Sequence, residues 1–293
     1  CCGAVGMARG WRSPDGRWGS SMQTWPMPSA DACHAPRKLC GMARPAWKSR
    51  LDPFAGHAQT FYALAPFSVQ PDPAMNTNLE LARDNMVENQ IRTWDVLDPR
   101  VLDVLGRLQR ENFTPERYRH MAFMDVELPL GHGEVMLKPI IQGRILQALA
   151  IENGQRVLEI GTGSGFLTAC MTALGGEVTS VEQHADLADT ARHNLAQAGL
   201  ARVNVTTADA LKGYAPSGTF DRIVLTGAVF ALPEQVKTWL KPGGRLFAVS
   251  GESPAMQALL HTRVDDSHWQ TEDLFQTDIP YLNHAAPPSR FVF

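Results

Sequence analysis

Ten residues constrain this chain more than any others: Val157-Leu158-Glu159-Ile160-Gly161-Thr162-Gly163-Ser164-Gly165-Phe166. A mostly apolar run that breaks into alternating glycines and resumes as a helix is a buried strand, a tight turn and a helix start. Open α/β sheets hold nucleotide-like ligands at that place. Glycines at 161, 163 and 165 let the backbone turn sharply and approach a ligand that a Cβ would obstruct. The spacing is G-x-G-x-G, and Phe166 stands where a dinucleotide fold would put its third glycine or an alanine. That favours S-adenosylmethionine over a nicotinamide dinucleotide. The next strand, residues 178–182, ends in Glu182, 21 positions beyond Gly161. A carboxylate there can accept hydrogen bonds from both hydroxyls of a ribose. A purely structural turn also collects glycines, but Glu182 at this separation favours a nucleoside-type site.

Strand-like and helix-like segments alternate around the loop. The spacing predicts helices over 79–93, 99–110, 140–151, 167–174, 185–198 and 233–239, with Asp98 as an N-cap. Strands are predicted over 156–160, 178–182, 203–207, 221–225 and 246–249, the last after the turn Lys241-Pro242-Gly243-Gly244-Arg245. The expected fold is α/β: a doubly wound, mostly parallel Rossmann-like sheet with an N-terminal helical cap. Gly161, Glu182, Asp209 and Thr226 then all fall beyond the carboxyl ends of strands, where such sheets bind ligands.

Composition excludes several classes. The 293 residues are 44% hydrophobic and 19% charged, with a net charge of -3, as in a globular protein with no call for a nucleic-acid partner. No run of about 18 apolar residues is present, so no membrane span is expected. Residues 1–74 differ from the rest. They hold nine of the twenty prolines and four of the seven tryptophans, and a balance of +4 that leaves -7 for residues 75–293. They lack a sustained apolar period, and Met75 directly precedes a patterned helix. We expect residues 1–74 to be a largely disordered extension outside the folded protein. A targeting peptide is the alternative, although the usual amphipathic helix or apolar core is missing. Cys33, His34 and Cys40 match no closed zinc spacing, so no metal is expected. Cys170, within a predicted helix, is expected to be a packed, reduced thiol, which fits the cytoplasm.

Six further stretches carry a resemblance. Asp98-Pro99-Arg100-Val101-Leu102, Asn112-Phe113-Thr114-Pro115, Leu128-Pro129-Leu130-Gly131-His132-Gly133, the glycine loop, Phe220-Asp221-Arg222-Ile223-Val224 and Lys241-Pro242-Gly243-Gly244-Arg245 make residues 75 to about 250 resemble the protein-L-isoaspartate O-methyltransferases. These are Rossmann-like S-adenosylmethionine-dependent enzymes. The resemblance implies a single methyltransferase domain over 75–293, with helices and a substrate loop over 75–151 and the Rossmann-like core over 152–293. It implies repair of damaged proteins, by methylation of the carboxylate exposed at isoaspartyl residues, and we expect a monomer. A carboxylate is already ionised at neutral pH, so positioning and partial desolvation should outweigh acid–base help.

The resemblance also places the site residues. Gly161, Thr162, Gly163, Ser164, Gly165 and Glu182 are expected to bind the cofactor, with Asp209 and Ala210 near the adenine. Thr226 either faces the methyl donor or merely caps the strand end. Glu159, a carboxylate inside a buried strand, is expected to support the site by bonding backbone amides of the turn. Asp125 matches the approach to the Leu-Pro-Leu-Gly passage, with a loop role as its alternative, and His132 is taken as a loop histidine because the reaction needs no base. The substrate loop is Val135, Met136, Leu137 and Lys138, and it departs from the family. Leu137 stands at the position of the usual Ser or Thr and cannot donate a hydrogen bond. Lys138 either supplies compensating charge or is simply solvated. Three functions remain: an isoaspartyl methyltransferase, a relative that methylates another carboxylate or small molecule or only binds the cofactor, and a nicotinamide-dependent oxidoreductase.

Overall fold

The computed structural model describes residues 73–288. The expectations for residues 1–72, including Cys33, His34 and Cys40, lie outside the described residues. The chain runs through α1 (Pro73–Asn85), a wider helical turn (Met86–Ile91), a 3-10 turn (Arg92–Trp94) and α2 (Pro99–Arg107). It continues through the strands β1 (Leu128–Gly131) and β2 (Glu134–Met136), then α3 (Pro139–Leu149), β3 (Arg156–Ile160), α4 (Phe166–Ala173) and β4 (Glu177–Glu182). The remaining elements are α5 (Ala185–Gln197), β5 (Asn204–Thr207), β6 (Phe220–Leu225), α6 (Glu234–Thr238), β7 (Leu240–Ser250), β8 (Met256–Arg263) and β9 (Trp269–Thr277).

Seven strands form one sheet in the order β5-β4-β3-β6-β7-β8-β9. The five from β5 to β7 pair in parallel, while β8 and β9 are added antiparallel as hairpins. The strand order reverses beside β3, so β3 and β6 flank the crevice of a doubly wound sheet. Both faces are covered, and side chains alternate between two core clusters. Val157, Val178, Val224 and Phe247 face the layer of α2 to α5. Leu158, Ile160, Ile223 and Leu246 face the layer of α6 and the segments around Ala210 and Leu282. Alternation therefore aims Glu159 at the α4 side.

Three local results refine the expectations. The helix expected over 79–93 gives way at Asn85 to the wider turn and then to the 3-10 turn, which ends at Asp95 in the left-handed region, φ 59°. The strand expected over 246–249 extends to Leu240–Ser250, because Pro242, Gly243 and Gly244 bulge out between the pairs Phe220–Leu240 and Arg222–Arg245. The turn-rich passage at 128–133 is a two-stranded hairpin, β1 with β2. Gly131, His132 and Gly133 have φ of 116°, 54° and 84°, so two of three consecutive left-handed positions are met by glycine. Among the described residues, no helix is long and apolar enough to cross a membrane and no group of His, Cys, Asp or Glu is arranged to hold a metal ion.

Asp98 caps α2 as expected: its Oδ1 accepts from the Arg100 N–H at 2.9 Å, and Pro99 follows it. The Arg100 side-chain hydrogen bond holds the Asp98 carboxyl below its ordinary value. Asp98→Ala is expected to cost about 1 kcal/mol at neutral pH, measured by urea unfolding. A depressed carboxyl stabilises above its unfolded pKa, so the difference should vanish as pH falls from the usual carboxylate range through the lowered value.

Candidate functional site

A cleft of about 630 Å³ opens at the carboxyl ends of β3, β4 and β6. Gly161, Gly163, Glu182, Asp209, Ala210 and Thr226 line it. Glu134 and Val135 of β2 form one wall, and Pro280, Leu282 and Asn283 form another. A smaller space continues from it past Val135, Gly161 and Thr226 to Glu159, Thr162, Ser164, Met136 and Leu137. The structure thus brings the glycine loop and residues 135–137 together. It leaves Gly165 and Lys138 off both linings, and Asp125 is exposed outside them.

The loop conformation follows from clamps at the strand ends. The Gly161 N–H donates to Val181 O at 2.8 Å, and the Thr226 N–H to Ile160 O at 3.0 Å. The Thr226 hydroxyl donates to Gly161 O at 2.6 Å, so it ties two strand ends together while lining the cleft. Gly161 has φ +96°, and a Cβ there would strike Thr226 Oγ1, so only glycine leaves the cleft floor open. Gly165 serves packing instead: a Cβ on it would press on Ala191 of α5 at 3.3 Å.

Glu182 is 4% exposed at the rim. Its Oε2 accepts from the Gly163 N–H at 2.9 Å and its Oε1 from the His184 N–H at 3.1 Å. A carboxylate offers about four lone-pair sites, so two acceptor positions remain for a diol. Asp209 Oδ1 accepts from the Leu211 and Lys212 N–H groups at 3.0 and 3.1 Å, and its Oδ2 lies 3.2 Å from His284 Nε2. It holds its own turn in shape while lining the cleft.

Glu159 supports the loop by a different route from the one expected. Its partners are hydroxyls rather than backbone amides: Oε2 accepts from Ser180 Oγ at 2.6 Å and from Thr168 Oγ1. Ser180 Oγ also pairs with Thr162 Oγ1 at 2.6 Å, which links the strand carboxyl to the loop. Oε1 has no partner. Full burial pushes the Glu159 carboxyl up to about 8, against the hydrogen bonds from Ser180 and Thr168.

One feature of the rim escaped sequence reasoning. His132 stacks flat on His184, centroids 4.1 Å apart, and its Nε2 meets Asp186 at 2.9 Å. This pins the hairpin tip to α5. The segment after β9 bonds along β6's exit, through Ala228 N–H to Pro280 O and Leu282 N–H to Ala228 O, both 2.8 Å. The Asn283 amide reaches Gln183 Oε1 at 2.6 Å. Residues beyond 250 therefore both complete the sheet and wall the cleft, and the strap itself carries no periodicity that marks it.

A family model described as Protein-L-isoaspartate(D-aspartate) O-methyltransferase (PCMT) matches residues 81–279. A protein-L-isoaspartate O-methyltransferase 1 of Rhodopseudomonas palustris is 39% identical over 193 residues, 65% of this chain and 79% of that one. A protein-L-isoaspartate O-methyltransferase of Methanoculleus marisnigri is 40% identical over 169 residues, 58% and 77%. Among solved structures, a Plasmodium falciparum protein assigned to the same activity, in complex with S-adenosyl-L-homocysteine, superposes with a TM-score of 0.60. It is 19% identical and covers 69% of this chain and 98% of its own. At that identity the likeness establishes the fold alone.

The buried carboxyl yields a pH test. A carboxyl raised in the folded state leaves stability intact below its unfolded value near 4.5 and removes it as pH climbs toward about 8. Glu159→Gln is expected to flatten that decline between these values in urea unfolding followed across pH. An unchanged slope would show that Glu159 is not the group responsible.

Proposed function

The chain belongs to the protein-L-isoaspartate O-methyltransferase family, and from that premise we propose that it transfers a methyl group from S-adenosylmethionine to the carboxylate of isoaspartyl residues in damaged proteins. The observation that carries this reading is the convergence of two walls on one cleft. The glycine loop forms the floor, and the hairpin built on Leu128 to Gly133 brings Val135 and Leu137 to the same space.

The residues present suit a nucleoside-bearing sulfonium. The cleft floor is a cradle that a Cβ at Gly161 would fill, and a buried carboxylate stands at its rim. Gly161, Thr162, Gly163 and Ser164 would cradle the cofactor, with Glu159 and Gly165 supporting the loop from behind. Glu182 would hold the ribose, Asp209 and Ala210 the adenine end, and Thr226 the floor near the methyl donor. S-adenosylmethionine supplies an electrophilic methyl group when bound. The chain's own residues then position the acceptor and keep water out, and no base is required for a carboxylate that is ionised at neutral pH. Residues 135–138 would form the acceptor side. The nicotinamide reading falls with the family assignment.

A second reading rests on Leu137. Its side chain is 5% exposed and packs in the core, so this loop offers no side-chain hydroxyl at the family's position. A chain so altered would accept another carboxylate or a small molecule, or hold the cofactor without transfer. We assign the catalytic domain to residues 75–293, with 75–151 as cap and substrate loop and 152–293 as core; the family match over 81–279 supports it. Our reading is a monomeric, cytoplasmic enzyme without nucleic-acid or membrane partners, and of these the buried free thiol of Cys170 supports the reducing cytoplasm.

Labelled S-adenosylmethionine offered with an isoaspartyl peptide and its aspartyl twin is expected to label the isoaspartyl peptide alone. Cofactor binding without transfer would favour the second reading. Glu182→Ala is expected to weaken S-adenosylmethionine binding about tenfold or more by calorimetry, through loss of charge-assisted hydrogen bonds. Unchanged affinity would refute the ribose placement.

A further inference from the structure

Behind the acceptor loop lies a cation with no anion. Arg110 is fully buried. Its Nε donates to Ala122 O at 2.8 Å, its Nη2 to Leu137 O at 2.8 Å and its Nη1 to Gln142 Oε1. Its guanidinium also sits 5.1 Å from the centroid of Phe166, the first residue of α4. Every one of these partners is formally neutral. Buried arginines ordinarily carry a carboxylate partner, as Arg83 does with Glu111 at 2.5 Å in this same chain. Arg110 has none among the described residues, and Asp125, which acts on it from a distance, is exposed. Burial pushes Arg110 down to about 9, which leaves it charged at neutral pH.

The other charges near the loop do not replace it. Lys138 lies 3.9 Å from Glu127 and is partly offset by it. Glu159, raised to about 8, is mostly protonated at pH 7 and does not cancel a nearby cation. Charges in a low-dielectric interior act farther and more strongly than charges at the surface. The Leu137 carbonyl is turned toward the guanidinium, and two further contacts of Arg110, Gln142 and Phe166, line the same smaller space as Leu137.

We propose that Arg110 is the positioning residue for the acceptor: its uncompensated charge, held directly behind the space lined by Leu137, Gln142 and Phe166, draws the substrate carboxylate to a loop without a side-chain hydroxyl. This rests on the methyltransferase reading above and deepens it. An anionic acceptor completes the charge balance that the folded chain leaves open, which selects carboxylate acceptors over neutral ones.

Gln142 provides the test. Gln142→Glu keeps the shape and the hydrogen bond but gives Arg110 a permanent carboxylate partner. Gln142→Met removes the bond and leaves the charge. With the full chain, S-adenosylmethionine and an isoaspartyl peptide, Q142E is expected to raise KM for the peptide about tenfold, with kcat within about threefold and no loss of thermal stability. Q142M is expected to lower the melting temperature yet keep KM within about threefold of the parent. Unchanged KM in Q142E, or an equal rise in both variants, would assign Arg110 a structural role and overturn the inference while leaving the function intact. Because Gln142 itself lines the smaller space, Arg110→Met is measured beside these variants: loss of the buried charge should raise KM about tenfold with kcat within about threefold, and an unchanged KM refutes the proposal. Absence of transfer by the parent protein removes the functional reading and this inference together.

Discussion

The cleft depends on how the backbone leaves β3. The strand lies between β4 and β6, and both neighbours hold on to it past its end: Gly161 donates to Val181 O, and Thr226 donates to Ile160 O through its N–H and to Gly161 O through its hydroxyl. Such a clamp forces the chain up and away at a left-handed residue, and the space released is the cleft floor. Beneath it, Glu159, Ser180, Thr168 and Thr162 form a hydroxyl network that ties β3, β4, α4 and the loop together. The site is therefore a by-product of sheet pairing, reinforced from below, and its rim is added by segments from outside the central strands.

Local features of this design are legible in the sequence. The glycine loop, Glu182, Asp98 and the alternation of strands and helices involve residues close together along the chain, with period and cap chemistry to mark them. Glu159 was legible as an anomaly but not in its partners, because Ser180 sits 21 positions away on a neighbouring strand. Arg110 gave no signal: an arginine at the end of an amphipathic stretch looks like a surface residue, and its partners lie 12, 27 and 32 positions away. The strap at 280–284 is irregular backbone held by isolated bonds, and no period or cap marks which wall it forms.

The same contrast explains the two roles found for glycine. All three glycines of the motif carry positive φ, but a Cβ on Gly161 would meet Thr226 at the cleft floor, one on Gly163 would meet Leu130 of the hairpin and one on Gly165 would meet Ala191 of α5. One repeated letter thus serves ligand approach once and close packing twice. Spacing alone does not separate these uses; the direction in which each missing Cβ would point does.

The hydrogen bond from Asn283 to Gln183 joins residues 100 positions apart. With the Pro280 and Leu282 bonds to Ala228, it means that the last wall of the cleft is made by some of the last described residues of the chain. During synthesis the central parallel strands emerge well before this strap, and long-range closure is entropically the slowest kind. The recess is therefore complete only when the segment that follows β9 lies against the end of β6. Completion of the cleft is in this sense a report that the whole sheet has been assembled.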